Sequence, residues 1–217
     1  MTLKRSIQVA LAALTLGTAG VASAAVITLD FEGIADQTAV GNFYAAKGVV
    51  FSGDTLALVD SDAGGAGNFA NEPSANTIMF FLDSNSAILN YAAGFTTGFS
   101  FYYSSTVLTF VEVFDELDGG GTSLGRIDLS AQHSINCAGD PTGDFCNWTN
   151  AGVSFAGTAK SIVFSGAARL TGFDNITFGS AVACTVDCNP APIPEPATLA
   201  LVGAALLGLS ASRRRRF

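Results

Sequence analysis

The strongest constraint on this chain is what its middle lacks. From residue 26 to residue 178, no stretch sustains the 3.6-residue apolar period of an amphipathic helix. Short apolar runs instead recur about every 8–15 residues, between clusters of glycine, asparagine, aspartate and serine. Neighbouring side chains on a strand point to opposite faces, so half-buried strands alternate apolar with polar. Ile27, Leu29 and Phe31 alternate in this way with Thr28, Asp30 and Glu32, and Phe99, Phe101 and Tyr103 share a face opposite Ser100. The pattern predicts strands at 26–31, 48–52, 56–59, 77–82, 87–91, 98–103, 108–114, 123–129, 153–155, 161–165 and 170–178. Asp118-Gly119-Gly120-Gly121 predicts a turn, since glycine reaches positive φ without a Cβ clash. The expected fold is all-β, an antiparallel two-sheet sandwich whose core takes up most of the 17 phenylalanines.

Two apolar stretches fall outside this pattern, one near each end. Lys4 and Arg5 precede an apolar run at 7–16, and Ala22-Ser23-Ala24 supplies small residues for cleavage. These are the parts of a signal peptide over 1–24, with cleavage after Ala24. At the other end stand Pro194-Glu195-Pro196, an uncharged run at 197–211, Arg213, Arg214, Arg215 and Arg216, and Phe217. As a helix, that run would cover about 22 Å, short of the roughly 30 Å hydrocarbon core. Arginine heads can snorkel to the interface and favour the cytoplasmic side. The segment therefore reads as a membrane-anchoring transmembrane helix.

The order Pro-Glu-Pro, short apolar helix and arginine cluster resembles the PEP-CTERM sorting signal of Gram-negative bacteria. What the resemblance implies is transient anchoring in the inner membrane and processing near the triplet by an exosortase, a transpeptidase-like membrane enzyme. Delivery to the cell surface or the exopolysaccharide matrix would follow. A simple membrane-anchored structural protein, never cut, is the alternative. The chain then divides into a signal peptide (1–24), a sandwich domain (25–182), a cysteine- and proline-containing linker (183–193) and the sorting signal (194–217).

All but one of the 18 acidic residues, but only four of the ten basic ones, lie between the two targeting segments. The body is therefore near −13, which argues against nucleic acid as a partner, because a phosphate backbone needs clustered positive charge. All four cysteines lie in the body, where an oxidising compartment permits disulfides. Proximity favours Cys137–Cys146 and Cys184–Cys188 among the three possible pairings, and spacing alone leaves the connectivity open.

The body as a whole resembles the β-sandwich domains found ahead of PEP-CTERM tails, which are similar to jelly-roll carbohydrate-binding modules. The residues that carry this are Val26-Ile27-Thr28-Leu29-Asp30-Phe31-Glu32 at the front and Gly172-Phe173-Asp174-Asn175-Ile176-Thr177-Phe178 at the back. The resemblance implies that the first and last strands lie side by side and hold a structural Ca²⁺, with Asp30, Glu32, Asp174 and Asn175 as oxygen ligands. Alternation sets Asp30 and Glu32 on one face, and a bulge near Gly172 is expected to re-aim Asp174. Asp60, Asp62, Asn68, Asn71 and Glu72 form a second oxygen-rich stretch without EF-hand spacing. Turn formation is the preferred reading of that stretch.

Tyr44, Tyr102, Tyr103 and Trp148 are candidate sugar platforms, each set against an ordinary place in the core. The sole histidine, His133, reads as an exposed turn residue, and no nucleophile elbow, phosphate loop or metalloprotease helix motif appears. The expectation is a non-catalytic matrix or carbohydrate-interaction protein whose partner is extracellular polysaccharide. A glycan-acting hydrolase using two carboxylates is the alternative.

Overall fold

The computed structural model describes residues 26–134, 137, 143–166 and 168–184. The expected signal peptide, Cys188, most of the linker, the apolar helix at 197–211 and the arginine cluster all lie outside the described residues.

Nine strands run β1 (Ile27–Leu29), β2 (Val49–Phe51), β3 (Thr55–Val59), β4 (Thr77–Phe81), β5 (Ser86–Ser105), β6 (Thr109–Phe114), β7 (Ser123–Leu129), β8 (Thr149–Ser165) and β9 (Thr171–Phe178). Every pairing between them is antiparallel. The order is β3-β4-β9-β5-β8-β6-β7, with β1 on β9 and β2 on β5.

Two expectations need correction. The strands read at 87–91 and 98–103 are one 20-residue strand, and those at 153–155 and 161–165 are one 17-residue strand. The breaker-like residues between them carry the ladder through irregular steps rather than ending it. Register shifts fall between Asn90 and Phe95 and between Phe95 and Thr97, with Gly94 at φ 75°. A Cβ on Gly94 would sit 2.4 Å from the Thr158 side chain, so the bend requires glycine.

The two expected sheets are consequently one continuous sheet folded over on itself. The first half of β5 pairs with β2 and the end of β8, and the second half pairs with β9 and the start of β8. Phe164 of β8 is in register with Ala87. Its ring nevertheless packs 6.1 Å from Phe101 and 4.9 Å from Phe173, across the fold. The result is two facing layers, β3-β4-β9-β5-β8 with β1 and β2-β5-β8-β6-β7. Phe99, Phe101, Phe164, Phe173 and Phe178 fill the space between them. Each buried phenyl contributes about 1.5–3 kcal/mol, and their edge-to-face geometry adds to it.

β9 is buried at all eight positions. Its inner side meets the phenylalanine core. Its outer side lies under a cover made from residues 60–76 and residues 143–148, just before β8. Phe69 reaches only 1 % exposure beneath that cover. Phe69 bridges Phe145, the Trp148 Nε1 donates to the Ala70 carbonyl at 3.1 Å, and the Asn71 amide donates to the Cys146 carbonyl at 3.3 Å. Cys137 and Cys146 are bonded, as proximity favoured. Cys184 is also disulfide-bonded.

Candidate functional site

β1 and β4 share one edge of β9 without touching end to end. β4 pairs at Gly172 and Phe173, and β1 pairs from Ile176 to Phe178. Asp174 and Asn175 fall in the gap. On the opposite edge, Tyr102 faces Asp174 and Ser100 faces Thr177, so β9 carries one extra residue there. Asn175 absorbs it at φ 47°, a conformation asparagine tolerates better than most residues. The bulge expected near Gly172 therefore sits two to three residues later, and it turns Asp174 toward the gap.

Residues 74–77 fill this opening with donors. The Ser74 N–H donates to Asp174 Oδ2 at 2.7 Å, and the Asn175 N–H donates to Oδ1 at 2.6 Å. The N–H groups of Asn76 and Thr77 both donate to Glu32 Oε1 at 2.8 Å, and the Ser74 hydroxyl lies 3.1 Å from the same oxygen. Ser74 thus joins the two carboxylates, which come from opposite ends of the chain's β region. Burial pushes the Asp174 carboxyl up to about 7; the donors of Ser74 and Asn175 oppose this, and the charge of Glu32 adds to it. Glu72 is likewise pushed up to about 7, first by burial, then by Asp60, Glu32 and Asp62. Glu72, from the oxygen-rich stretch, couples electrostatically to Glu32 of this gap.

Asp30 has a different side-chain partner from the other expected ligands. Its Oδ1 lies 3.3 Å from the Tyr44 hydroxyl, which donates to it. That hydroxyl in turn accepts the Phe31 N–H at 2.6 Å. β1 ends at Leu29, and Phe31 takes φ 61°, so simple alternation stops there and Asp30 and Glu32 find different partners. Burial and the neighbouring Asp30 hold the Tyr44 proton more firmly than in a free phenol. Among the described residues no three acidic, cysteine or histidine side chains converge as a metal cluster.

Glu32, Asp174 and Asn175 do suit a hard cation. The Asn175 amide nitrogen is buried without a hydrogen-bond partner. Half a turn of that amide would present its oxygen instead.

The second acidic stretch folds the cover rather than forming a pocket of oxygens. Asp60 bridges Gly67, the Asn68 amide donates to Asp144 Oδ2 at 3.1 Å, and Asn71 is held by Cys146. Tyr44 and Tyr103 are both 4 % exposed, so neither offers a ring face to a sugar. Tyr103 already shared a face with Phe99 and Phe101 in the sequence pattern. Trp148 stands edge-on to Phe69 at 6.2 Å, half-buried, and Tyr102 is half-buried on the outer side of β5. His133, expected in an exposed turn, is also half-buried, its ring 6.0 Å from Phe145. Sequence reasoning missed the donors of residues 74–77. Ser74 and Asn76, polar residues immediately before an apolar strand, were the available signal.

Residues 192–216 match the PEP-CTERM protein-sorting motif. The PEP-CTERM match contains the Pro-Glu-Pro triplet, the apolar run and the arginines singled out above. No curated protein matches the chain. Among solved structures, a family 6 carbohydrate-binding module is similar at 17 % identity, over 70 % of this chain and 92 % of that one, with a TM-score of 0.39. A carbohydrate-binding module from Cellvibrio mixtus lichenase 5A, in complex with cellotriose, is similar at 16 % identity over 72 % and 98 %, with a TM-score of 0.37. The K1 cleaved adhesin domain of Lys-gingipain from Porphyromonas gingivalis is similar at 10 % identity over 70 % and 96 %, with a TM-score of 0.39.

Proposed function

We propose that this is an exported protein whose PEP-CTERM tail delivers a folded β body to the cell surface or the exopolysaccharide matrix. There the body acts by holding matrix polysaccharide and not by catalysis. The observation that carries the reading is the sorting-motif match at 192–216. It stands behind a sequence start built like a signal peptide and a cysteine-containing acidic body suited to an oxidising exterior. Residues 1–24 serve as the signal peptide, 25–182 as a jelly-roll-like sandwich, 183–193 as linker and 194–217 as sorting signal. An exosortase-type enzyme is the processing partner.

A structural Ca²⁺ belongs to the same reading, held by Glu32, Asp174 and Asn175. When bound, it would neutralise two carboxylates at the meeting point of β1, β4 and β9. Chelation is expected to lower the melting temperature by several degrees, and an unchanged melting curve removes the ion from the account.

Fractionation of cells tests delivery. The full-length chain should leave the inner membrane for the surface or matrix, whereas a variant with Pro194, Glu195 and Pro196 changed to alanine should stay behind. Equal distribution of the two refutes the sorting role. A glycan array, run with and without calcium, tests the polysaccharide role, and uniform absence of binding refutes it.

A further inference from the structure

The outward face of β3 and β4 is apolar where the edge layer of a sandwich ordinarily meets water. Leu58 and Ile78 are register partners across β3 and β4, and Phe80 pairs with Gly172 across β4 and β9. All five residues of β4 are buried, because the cover lies over this side too. The cover does not close the face completely. A groove of about 210 Å³ remains, with Leu58, Ile78, Phe80 and Gly172 as its floor and Phe69 and Phe145 as walls. Gly172 keeps that floor low. A Cβ there would lie 2.8 Å from Ile78 Cδ1 and 3.2 Å from the Trp148 ring.

The rim has the opposite character. Gln37, Asn68 and Arg169 stand around the opening, all of them exposed. Arg169 lies 3.7 Å from the exposed Asp83 and donates through Nε to the Leu82 carbonyl at 3.4 Å, and Asn68 brings Asp144 to the mouth through its amide. The rim therefore mixes a guanidinium donor, two amides that both donate and accept, and a carboxylate acceptor. The groove is smaller than the roughly 300–1,000 Å³ of drug-sized pockets. That leaves room for one small ring and not for an extended ligand.

We propose that this groove seats one pyranose unit of a neutral glycan. The carbon–hydrogen face of the sugar would lie on Leu58 and Phe145, the half-buried apolar residues of the lining, and its hydroxyls would meet Gln37, Asn68 and Arg169. Hydroxyls both donate and accept, which is what a rim of mixed donors and acceptors requires. A fatty acyl chain would use the floor and leave the rim idle. A free anion would meet Asp83 and Asp144 beside Arg169. The inference rests on the polysaccharide reading given above and names the place where it happens.

The test uses the full-length chain in lipid nanodiscs, probed with neutral gluco-, galacto- and manno-configured trisaccharides by calorimetry and saturation-transfer NMR. Ala66 is exposed and lines the groove, so Ala66→Trp should plug it and weaken binding at least tenfold. Asn68→Ala and Arg169→Ala should each weaken it severalfold. Tyr102→Ala, outside the groove lining, should change it less than twofold, and the far-ultraviolet spectrum and melting temperature report whether each variant is folded. Binding that survives the groove variants but is lost in Tyr102→Ala overturns this site and leaves the polysaccharide reading standing. Absence of binding to every glycan overturns both. Binding of octanoate with no sugar bound overturns the pyranose assignment.

Discussion

Glu32 is where a single atom's chemistry can be weighed. Its Oε1 receives two backbone N–H groups at 2.8 Å, and Thr77, which supplies one of them, is 3 % exposed. Hydrogen bonds to a charged partner are worth about 1.5–3 kcal/mol each, against about 0.5–1.5 for neutral pairs. Glu32→Gln keeps the accepting oxygen and removes the charge, so it should cost about 2–3 kcal/mol. Glu32→Ala also strands the Thr77 N–H, which adds about 1–3 kcal/mol, for a total of about 3–6 kcal/mol. Relief of Asp174 and Glu72, both raised partly by Glu32, offsets a little of this. Stability of a domain this size is typically about 5–15 kcal/mol, so both losses are measurable. Urea unfolding in EDTA at neutral pH, followed by Trp148 fluorescence, gives the numbers. The order wild type, Gln, Ala with those spacings is the expected result. If both variants stay within about 0.5 kcal/mol of the parent, which is the ordinary surface range, the opening beside β9 is not locked by this carboxylate.

Acid should stabilise the chelated protein over part of its range. Asp174 and Glu72 titrate near 7 when folded, against ordinary values of 3.8 and 4.5, so between those limits the folded chain keeps protons that the unfolded chain releases. Their contribution is fully present below about pH 4, shrinks as pH rises and is gone above about 7. Urea midpoints that rise steadily from pH 4 to 7 would contradict this. Calcium should flatten the slope, because binding a cation expels the proton. Phe164→Ala, which empties the centre of the aromatic cluster, should cost about 3–5 kcal/mol. A loss under about 1 kcal/mol would show that the two layers are not held together there.

Most strands were legible because their cues are local. β7 runs over the predicted 123–129, after a turn marked by Asp118 and three glycines. The continuity of β5 was hidden because Ala92, Ala93 and Gly94 have the composition of a break, and only the partner strand decides that they are a bend. The cover was hidden for a related reason. The residues around Phe69 are polar, and nothing local says that they lie over a second apolar face. Glu32 and Asp174 were reachable through alternation and the likeness of the two end segments. Asp30 was not, since its direction depends on the left-handed backbone of Phe31, which no spacing reveals.

β9 is the last strand before the segment that carries the sorting motif, and it is laddered on both edges. Tension arriving from a tethered tail would draw that strand lengthwise between β5 on one flank and β4 with β1 on the other. Its bonds would have to shear nearly together, whereas a border strand would peel one rung at a time. Were the body held by its tail, the load would fall on a strand buried at all eight positions.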